Sequence, residues 1–226
     1  MPISGNSSKI FNYLGNFFII IGIALLTGAY GPVIYDEAWY WLKTVRGQQL
    51  SLQNEPGSVP DSVFARLLED KTINLKPVNK DFSIVIEKLG VNAPIKADVT
   101  VTDTKAYNVA LKEGVAHAST SDYPSQEPGN VYLFAHSAID FWNLGKYAKV
   151  FNLVRKLEAG DVIHIFYEGD DYVYEVVNKE MYKGWNTYPL TRATLEPVLT
   201  LQTCDPPGTT LNRLVVTAVL KEVKEE

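Results

Sequence analysis

The sequence predicts a mostly β domain, an antiparallel barrel or sandwich, that follows a single apolar helix. Roughly seven or eight short segments rich in β-branched and aromatic residues are separated by turns of Gly, Pro, Asn and Asp. Helical periodicity is sparse among them, and a long uncharged segment precedes them all. A chain of 226 residues is long enough for one domain of ordinary size plus this appendage.

Composition and charge place the chain among globular proteins and argue against nucleic acid as a partner. Apolar residues make up 46% of the chain and charged residues 21%, proportions typical of a folded domain. The net charge is −5, the isoelectric point is near 5.3, and no basic stripe is visible. Cys204 is the only cysteine, so the chain cannot form an intrachain disulfide.

Residues 10–35 are predicted to form one transmembrane helix, preceded by a short tail at residues 1–9. The segment holds no charged residue, and about 20 apolar residues span a bilayer as a helix. Lys9 before it and two acidic residues after it favour a cytoplasmic N-terminus and an extracytoplasmic domain. Aromatic side chains suited to a membrane interface follow at Trp39, Tyr40 and Trp41. The alternatives are a cleaved signal peptide and a buried core helix, but no clear cleavage motif follows the run.

The remaining elements are assigned in chain order from periodicity and turn residues. Residues 36–80 are expected to hold a juxtamembrane segment, a polar linker and a short helix at 61–68. Residues 81–226 form the predicted domain. Within it we expect helical turns at 102–111 and 150–157, and strands at 82–86, 93–97, 130–136, 161–167 and 172–177, one ending at 204 and one beginning near 211.

The strand that ends at Cys204 is the centre of the predicted site. Asp205, Pro206, Pro207 and Gly208 follow it and must form a loop, because two prolines cannot continue a ladder. Period-two alternation puts Leu199, Leu201 and Thr203 on one face, and Thr200, Gln202 and Cys204 on the other. If the leucines point to the core, the thiol points away from it, where a substrate can reach it.

A nucleophilic thiol needs a base, and three histidines are available to supply one. His136 ends a predicted strand before a polar loop and is the favoured candidate at a barrel rim. His117 also precedes a polar loop and is the weaker rim candidate, whereas His164 lies within a strand. Arg213 follows the loop after Cys204, where a guanidinium can stabilise charge that develops on a carbonyl oxygen. No histidines or carboxylates have a metal-ligand spacing, so no metal site is predicted.

These residue types alone leave two interpretations open. A single cysteine is commonly a small buried hydrophobic residue, and a single histidine or arginine on a strand is commonly structural or solvated. The same residues also fit a Cys–His enzyme.

Three motifs, which contain His136, Cys204 and Arg213 in this order along the chain, resemble those of the sortases, the membrane-anchored cysteine transpeptidases of bacterial surfaces. Residues 200–204, TLQTC, resemble the TLxTC signature of that family. Residues 133–137, LFAHS, resemble the strand that ends in the catalytic histidine, and residues 213–216, RLVV, resemble the strand with the essential arginine. The intervening hairpin and the first strand of the domain match as well, so the resemblance covers most of the chain beyond residue 81.

Some positions depart from the common sortase pattern. Glu87 stands where many members carry proline, and Ser137 stands where many carry arginine or asparagine. No second hydrophobic helix follows Val223 and no lid segment is evident, which disfavours a pilin-polymerising member. The short loop before Thr200 disfavours the subgroup with a long helical insertion there, and the Pro-Pro-Gly after Cys204 resembles the class D and E types.

The resemblance implies a closed, mixed β-barrel of about eight strands with short helices. It implies that Cys204 attacks the Thr–Gly bond of an LPxTG-like sorting motif, that His136 protonates the departing amine, and that Arg213 stabilises the oxyanion. Thr203 and Thr200 are implied as substrate-binding residues, with His117 at the rim. No cofactor is required; calcium serves some members, but no acidic cluster here demands it.

The implied partners are surface proteins that carry a sorting signal, an amine such as that of a cell-wall precursor, and the membrane that holds the N-terminal helix. The implied location is the cell membrane, with the catalytic domain outside the cytoplasm. Two alternatives remain. One is a hydrolytic cysteine peptidase that uses water with the same residues, and the other is a non-catalytic, membrane-tethered binding module.

Overall fold

A computed structural model describes residues 5–52, 72–100, 104–135, 147, 150–207 and 209–225 of the chain. Its α-helices are α1 (Gly5–Arg46), α2 (Thr104–Glu113) and α3 (Tyr188–Thr191), and 3₁₀ turns lie at Glu87–Leu89 and Val154–Lys156. Its strands are β1 (Gln49–Leu52), β2 (Thr72–Leu75), β3 (Phe82–Ile86), β4 (Val91–Val99), β5 (Val115–Ala118), β6 (Gly129–Phe134), β7 (Val162–Tyr167), β8 (Asp170–Lys183), β9 (Pro197–Asp205) and β10 (Asn212–Lys224).

Within these described ranges, eight strands close into a barrel in the order β10, β8, β7, β3, β4, β5, β6, β9, and β9 pairs back onto β10. Most neighbours are antiparallel, but β4–β5 and β6–β9 are parallel. α2 supplies the crossover that the parallel β4–β5 pair needs. The prediction of a mostly β, closed barrel of about eight strands with mixed pairing and short helices is confirmed.

Alternating residues of each strand fill the barrel interior. On β9, Leu199 and Leu201 have no exposed surface, which confirms that these leucines point to the core. Their partners on β10, Ala218 and Val216, are buried on the same side, as is Leu133 on β6. We call this side the inner face and the opposite side of the barrel wall the outer face. Because side chains alternate with period two, Cys204 belongs to the outer face.

One predicted helix is replaced by a tighter turn. The segment 150–157 forms only the 3₁₀ turn Val154–Lys156. Phe151, Val154 and Leu157 have no exposed surface and recur every third residue, which matches the three residues per turn of a 3₁₀ helix. The predicted helix at 61–68 lies outside the described residues.

The end of α1 is fixed to the barrel by polar contacts. Lys43 Nζ donates to the carbonyls of Glu87 and Lys88 at 3.1 and 3.0 Å, which caps the 3₁₀ turn there with a buried cation. Glu37 forms ion pairs with Arg155 and Lys156. Contacts of this kind hold the C-terminal part of the helix in a defined orientation on the domain.

The N-terminal part of α1 presents apolar side chains on all sides. The five consecutive residues 17–21 are all exposed, with Phe18 and Ile20 more than 60% exposed. An apolar helix of this kind has no polar face to leave in water.

Among the residues that the structure describes, no helix combines the length and apolar character that a membrane crossing requires. The transmembrane helix at 10–35 therefore stays a prediction.

A neutral histidine lies inside the barrel at one end. His117 on β5 has no exposed surface, and its Nε2 lies 3.0 Å from the carbonyl oxygen of Asp122. A carbonyl only accepts, so Nε2 carries the proton, and Ser121 Oγ lies 3.0 Å from the same nitrogen. Within the described part of the chain, His117 Nδ1 is buried with no hydrogen-bond partner. Burial lowers the pKa of His117 below its ordinary value, and the Asp122 carbonyl opposes that shift only in part.

We expect His117 to make the domain less stable in mild acid. As pH falls through the ordinary histidine pKa of about 6.5, the unfolded chain binds a proton that folded His117 does not, so unfolding becomes easier. Urea unfolding of wild type and His117→Gln between pH 7.5 and pH 5 measures the effect, with these pH values chosen to bracket about 6.5. The variant should lose less unfolding free energy on acidification, and an equal loss in the two proteins would contradict the role of His117.

Candidate active site

Cys204 and Arg213 face each other across two neighbouring strands, near the end of β9 and the start of β10. Their backbones are paired directly in the β9–β10 register. Opposed residues of an antiparallel pair project to the same face, and Arg213 Nη1 donates to Cys204 Sγ at 3.3 Å. Both side chains are partly exposed. A substrate can therefore reach the sulfur beside a cation that two strands hold in place.

The surroundings of Cys204 favour its neutral thiol at rest. Burial raises the pKa of Cys204 above its ordinary value, and the Arg213 guanidinium acts in the opposite direction without cancelling the effect. The thiolate is the nucleophilic form of cysteine. A base must therefore take the thiol proton as the sulfur attacks, and Arg213 is placed to stabilise the negative charge that then develops.

A strip of the outer face, which we call the groove, extends from Cys204 back over β9 and its neighbouring strands. We define it by outer-face residues of β6, β9 and β10 near the Cys204–Arg213 pair: Tyr132, Phe134, Gln202 and Val215. Phe134 and Val215 are buried, whereas Gln202 is partly exposed. The Tyr132 hydroxyl donates a hydrogen bond to Gln202 Oε1 on the neighbouring strand.

Tyr107 of α2 covers one side of this groove. Its ring stacks on Phe134 with 5.4 Å between ring centroids and an interplanar angle of 12°. Burial raises the pKa of Tyr107, a thiolate at Cys204 would act in the same direction, and Arg213 opposes it. The tyrosine is thus an electrostatic neighbour of both site residues.

Sequence reasoning missed Tyr107, Tyr132 and Gln202 as site residues. The alternation that puts Tyr132 and Phe134 on the same face of their strand was a usable signal for the first strand of the groove. No sequence signal indicates that α2 would bring Tyr107 over that face.

The groove ends at a set of hydrogen bonds that we call the Arg192 clamp. Arg192 Nη2 donates to Thr200 Oγ1 at 3.0 Å and to Thr217 Oγ1 at 2.9 Å. Thr200 Oγ1 in turn donates to Asn130 Oδ1 at 2.7 Å, and the Asn130 amide donates to the carbonyl of Pro189 in α3. The connection that carries α3 is therefore fastened across the outer face.

The Arg192 clamp covers Thr200, one of the predicted substrate-binding residues. Thr200 has no exposed surface, and its hydroxyl is occupied on both sides by Arg192 and Asn130. It shares the face of Cys204, as alternation predicts, but the clamp covers it. We therefore treat Thr200 as a structural residue.

Thr203 lies on the inner face and fixes the chain beside the site rather than lining the groove. Its Oγ1 donates to the Ala135 carbonyl at 3.2 Å, and the Ala135 amide donates to the Gln202 carbonyl at 3.2 Å. These two bonds extend the β6–β9 pairing by one residue beyond Phe134.

Of the two histidines of the predicted site, the structure describes only His117. His117 pairs with Leu133 in the β5–β6 register, so it shares the inner face and is separated from Cys204 by the barrel wall. It is a buried structural residue in this fold rather than a rim residue. His136 lies outside the described residues. His164, which the sequence indicates as a surface or ladder histidine within a strand, is buried on β7 and lies 3.0 Å from the Asp171 carboxylate.

Among the described residues, no group of three His, Cys, Asp or Glu side chains is arranged to hold a metal ion.

The chain matches a family model described as the sortase domain over residues 84–221, which is more than half of its length. No curated protein matches it.

Solved structures with the same fold include sortases of several bacteria. Sortase C1 of GBS pilus island 1 has a TM-score of 0.54 and 23% identity, over 64% of this chain and 66% of that one. Sortase C-1 from Actinomyces oris has a TM-score of 0.52 and 22% identity, over 84% and 99%. Sortase A of Listeria monocytogenes has a TM-score of 0.51 and 20% identity, over 64% and 89%. At these identities the likeness shows a shared fold.

Alkylation of Cys204 as a function of pH tests the electrostatics of the site. Iodoacetamide reacts with the thiolate, so we expect a midpoint above that of an ordinary thiol. Arg213→Met should raise the midpoint further. A midpoint higher by one pH unit corresponds to about a tenfold lower thiolate fraction at neutral pH.

Lys221→Met is the matched control, because it removes an exposed cation from the far end of the same strand. The control should leave the profile unchanged. An unchanged or lower midpoint in Arg213→Met would show that Arg213 does not stabilise the thiolate.

Proposed function

Since this chain belongs to the sortase family, we propose that it is a membrane-anchored cysteine transpeptidase. It cleaves an LPxTG-like sorting motif between Thr and Gly and transfers the acyl group to an amine, such as that of a cell-wall precursor. Surface proteins that carry the motif are thereby joined to the cell wall. The contact between Arg213 Nη1 and Cys204 Sγ at 3.3 Å carries this proposal.

That contact supports acyl transfer because the negative charges of the thiolate and of the oxyanion both develop beside Arg213. When sulfur adds to a peptide carbonyl, negative charge moves from sulfur to the carbonyl oxygen. A guanidinium has five donors in a planar fork, so it can hold the oxyanion while it remains close to the sulfur. Donors aimed at a developing oxyanion typically contribute about a hundredfold or more to the rate.

His136 is proposed as the base that takes the thiol proton. It follows Ala135 directly in the chain, and consecutive Cα atoms are about 3.8 Å apart. Ala135 is held on β9 by its bonds to Gln202 and Thr203, next to Cys204. Chain connectivity therefore supports a role for His136 near the sulfur, and Thr203 acts as a positioning residue for it.

In the first half-reaction, His136 takes the proton from Cys204 as the thiolate adds to the carbonyl carbon of Thr in the motif. The tetrahedral intermediate collapses, the C–N bond breaks, and the departing glycine amine takes the proton from His136. A thioester between Cys204 and the acyl donor remains. The raised pKa of Cys204 fits a mechanism in which the proton moves during attack.

In the second half-reaction, the acceptor amine gives a proton to His136 and attacks the thioester carbon. The C–S bond breaks, a new amide forms, and the proton returns to sulfur. Water in place of the amine would give a carboxylic acid, which is the hydrolytic alternative. The two outcomes differ only in the group that reaches the thioester.

The apolar part of α1 is proposed as the membrane anchor, with its N-terminus cytoplasmic and the barrel on the other side. Exposed apolar side chains surround the helix at residues 17–21, and burying them in lipid removes their contact with water. The contacts of Glu37 and Lys43 with the barrel then attach the domain close to the anchor.

Mass spectrometry of the barrel incubated with LPxTG-like peptides tests the transferase reaction. We expect a thioester adduct on Cys204, and a new amide product when an amine such as triglycine is added. Cys204→Ala should form neither. Arg213→Lys keeps the charge but loses the planar fork, so we expect at least about a hundredfold lower kcat/KM.

Peptide cleavage by Cys204→Ala would refute the nucleophile. Near-normal turnover by Arg213→Lys would refute the oxyanion role. Cleavage that yields only acid, whatever the amine concentration, would favour the hydrolytic peptidase.

Cell fractionation tests the anchor. The full chain should sediment with membranes, resist high salt and be released by detergent, because its attachment is apolar. A chain that begins at Asp36 keeps the contacts of Glu37 and Lys43 with the barrel and should be found in the supernatant. Recovery of the full chain in the supernatant would refute the anchor.

A further inference from the structure

We propose that two connections beside the candidate active site insert into the headgroup layer of the membrane through the side chains of Trp185 and Leu211. The first connection, residues 184–187, joins β8 to α3, and the second, residues 206–211, joins β9 to β10. We call them the tip loops. This inference rests on the proposed membrane anchor and goes beyond it, because it gives the barrel a second contact with lipid and a fixed orientation on the bilayer.

Direct backbone contact holds the tip loops side by side. The Gly184 amide donates to the Leu211 carbonyl at 3.0 Å. A Cβ built on Gly184 would lie 2.1 Å from the carbonyl oxygen of Thr210, which is too short for any real side chain, so glycine permits this approach. Trp185 follows the glycine directly. Trp185 and Leu211 therefore belong to one surface that two packed loops carry together.

This surface exposes large apolar side chains of a kind that folded proteins usually bury at least in part. Trp185 is 82% exposed and Leu211 is 68% exposed. Tyr188, which follows the first tip loop, is 57% exposed. Neighbouring exposed apolar side chains mark a surface that binds protein or lipid. Tryptophan and tyrosine combine an apolar ring with a polar group, which suits them to the border between lipid and water.

The tip loops lie at the end of the barrel that α1 contacts. Lys179 Nζ of β8 donates to the carbonyls of Arg155 and Leu157, in each case at 2.7 Å. Arg155 in turn pairs with Glu37 of α1. Strand β8 ends four residues after Lys179, at Lys183, so the first tip loop begins about 13 Å farther along the strand.

The proposed anchor places this end of the barrel at the membrane. Residue 35 is the last of the predicted transmembrane segment, and Asp36 Oδ2 accepts from the side-chain amide of Asn152 at 3.2 Å. The barrel therefore begins where the anchor leaves the hydrocarbon. The headgroup layer is about 5 to 7 Å thick on each side of a bilayer. Loops that extend past this segment from the same end of the barrel are placed to enter that layer.

Charge distinguishes the two ends of the barrel and favours lipid as the partner of the tip loops. Neither tip loop contains a charged residue, and the strand ends that flank them carry Lys183, Asp205 and Arg213. At the opposite end, residues 119–128 and 168–170 together contain four acidic residues and no basic one. A bilayer with anionic lipid repels the acidic end, and it accepts an uncharged aromatic tip that cations flank.

Insertion of the tip loops brings the candidate active site to the bilayer surface. Arg213 comes two residues after Leu211, and Cys204 pairs with it directly. Two residues of a strand span about 6.8 Å, and paired strands lie about 4.8 Å apart, so the thiol is roughly 10 Å from the inserted leucine. Substrates that are still attached to the membrane then meet the thiol at its own height.

Nitroxide labels on the full chain in lipid vesicles measure this contact. The vesicles contain phosphatidylcholine and phosphatidylglycerol in a ratio of about three to one, and Cys204→Ala removes the native thiol. The label is attached through Leu211→Cys or, in the matched control, through Leu195→Cys. Leu195 is 94% exposed and lies two residues before the start of β9, at the opposite end of the barrel from Cys204.

Collisions of each label with oxygen, which concentrates in lipid, and with a nickel chelate, which stays in water, report the depth of the label. We expect the ratio of oxygen to nickel collisions to be at least about fivefold higher for the Leu211→Cys label than for the control. Adding Trp185→Ser to the Leu211→Cys protein should lower this ratio toward the control, because the indole ring holds the loops at the interface.

Equal, water-like ratios at the two positions would overturn the proposal. Low access of both reagents to the Leu211→Cys label would also overturn it, because a site shielded from oxygen and nickel alike is covered by protein. Flotation of the vesicles on a density gradient tests the anchor separately. A chain that floats with a water-exposed Leu211→Cys label keeps the anchor and refutes this inference, whereas a chain that does not float refutes both. Neither measurement requires transpeptidase activity.

Discussion

The candidate site depends on one constraint, the register between β9 and β10. Pairing of Cys204 with Arg213 follows from a ladder that runs from Val198 and Val219 to Asp205 and Asn212 without interruption. A slip by one residue would send the arginine to the opposite face, because side chains alternate with period two. Burial of the leucines of β9 in the core prevents that slip, so core packing also determines where the guanidinium lies.

Because the barrel is closed, its inner face forms the core and its outer face carries the candidate site. The inner face is occupied by aliphatic side chains and by the neutral His117, and it sets the register. The outer face carries the thiol, the guanidinium and the groove, and it is partly covered by α2 and by the Arg192 clamp. Function can therefore vary through the connections that cross the outer face while the strands beneath them keep their pairing.

Local patterns predicted a mostly β domain, a barrel or a sandwich, and a short loop that returns Arg213 to Cys204, whereas the closed barrel was implied by the family resemblance. Alternation indicated the buried leucines, and the order of motifs carried the family resemblance. Local patterns did not predict that Thr200 is covered or that His117 lies on the inner face. Whether an outer-face threonine is open or covered depends on Arg192, which comes from a connection eight residues earlier in the chain. The inner position of His117 depends on its pairing with Leu133, a contact between strands that no local pattern specifies.

The raised pKa of Cys204 also bears on how long the protein survives in oxidising surroundings. Peroxides and disulfides attack thiolates much faster than neutral thiols. With no second cysteine in the chain, Cys204 has no neighbour to form a disulfide that would shield it from further oxidation to sulfinic or sulfonic acid. Burial, which keeps the sulfur protonated, therefore also protects it chemically against oxidation.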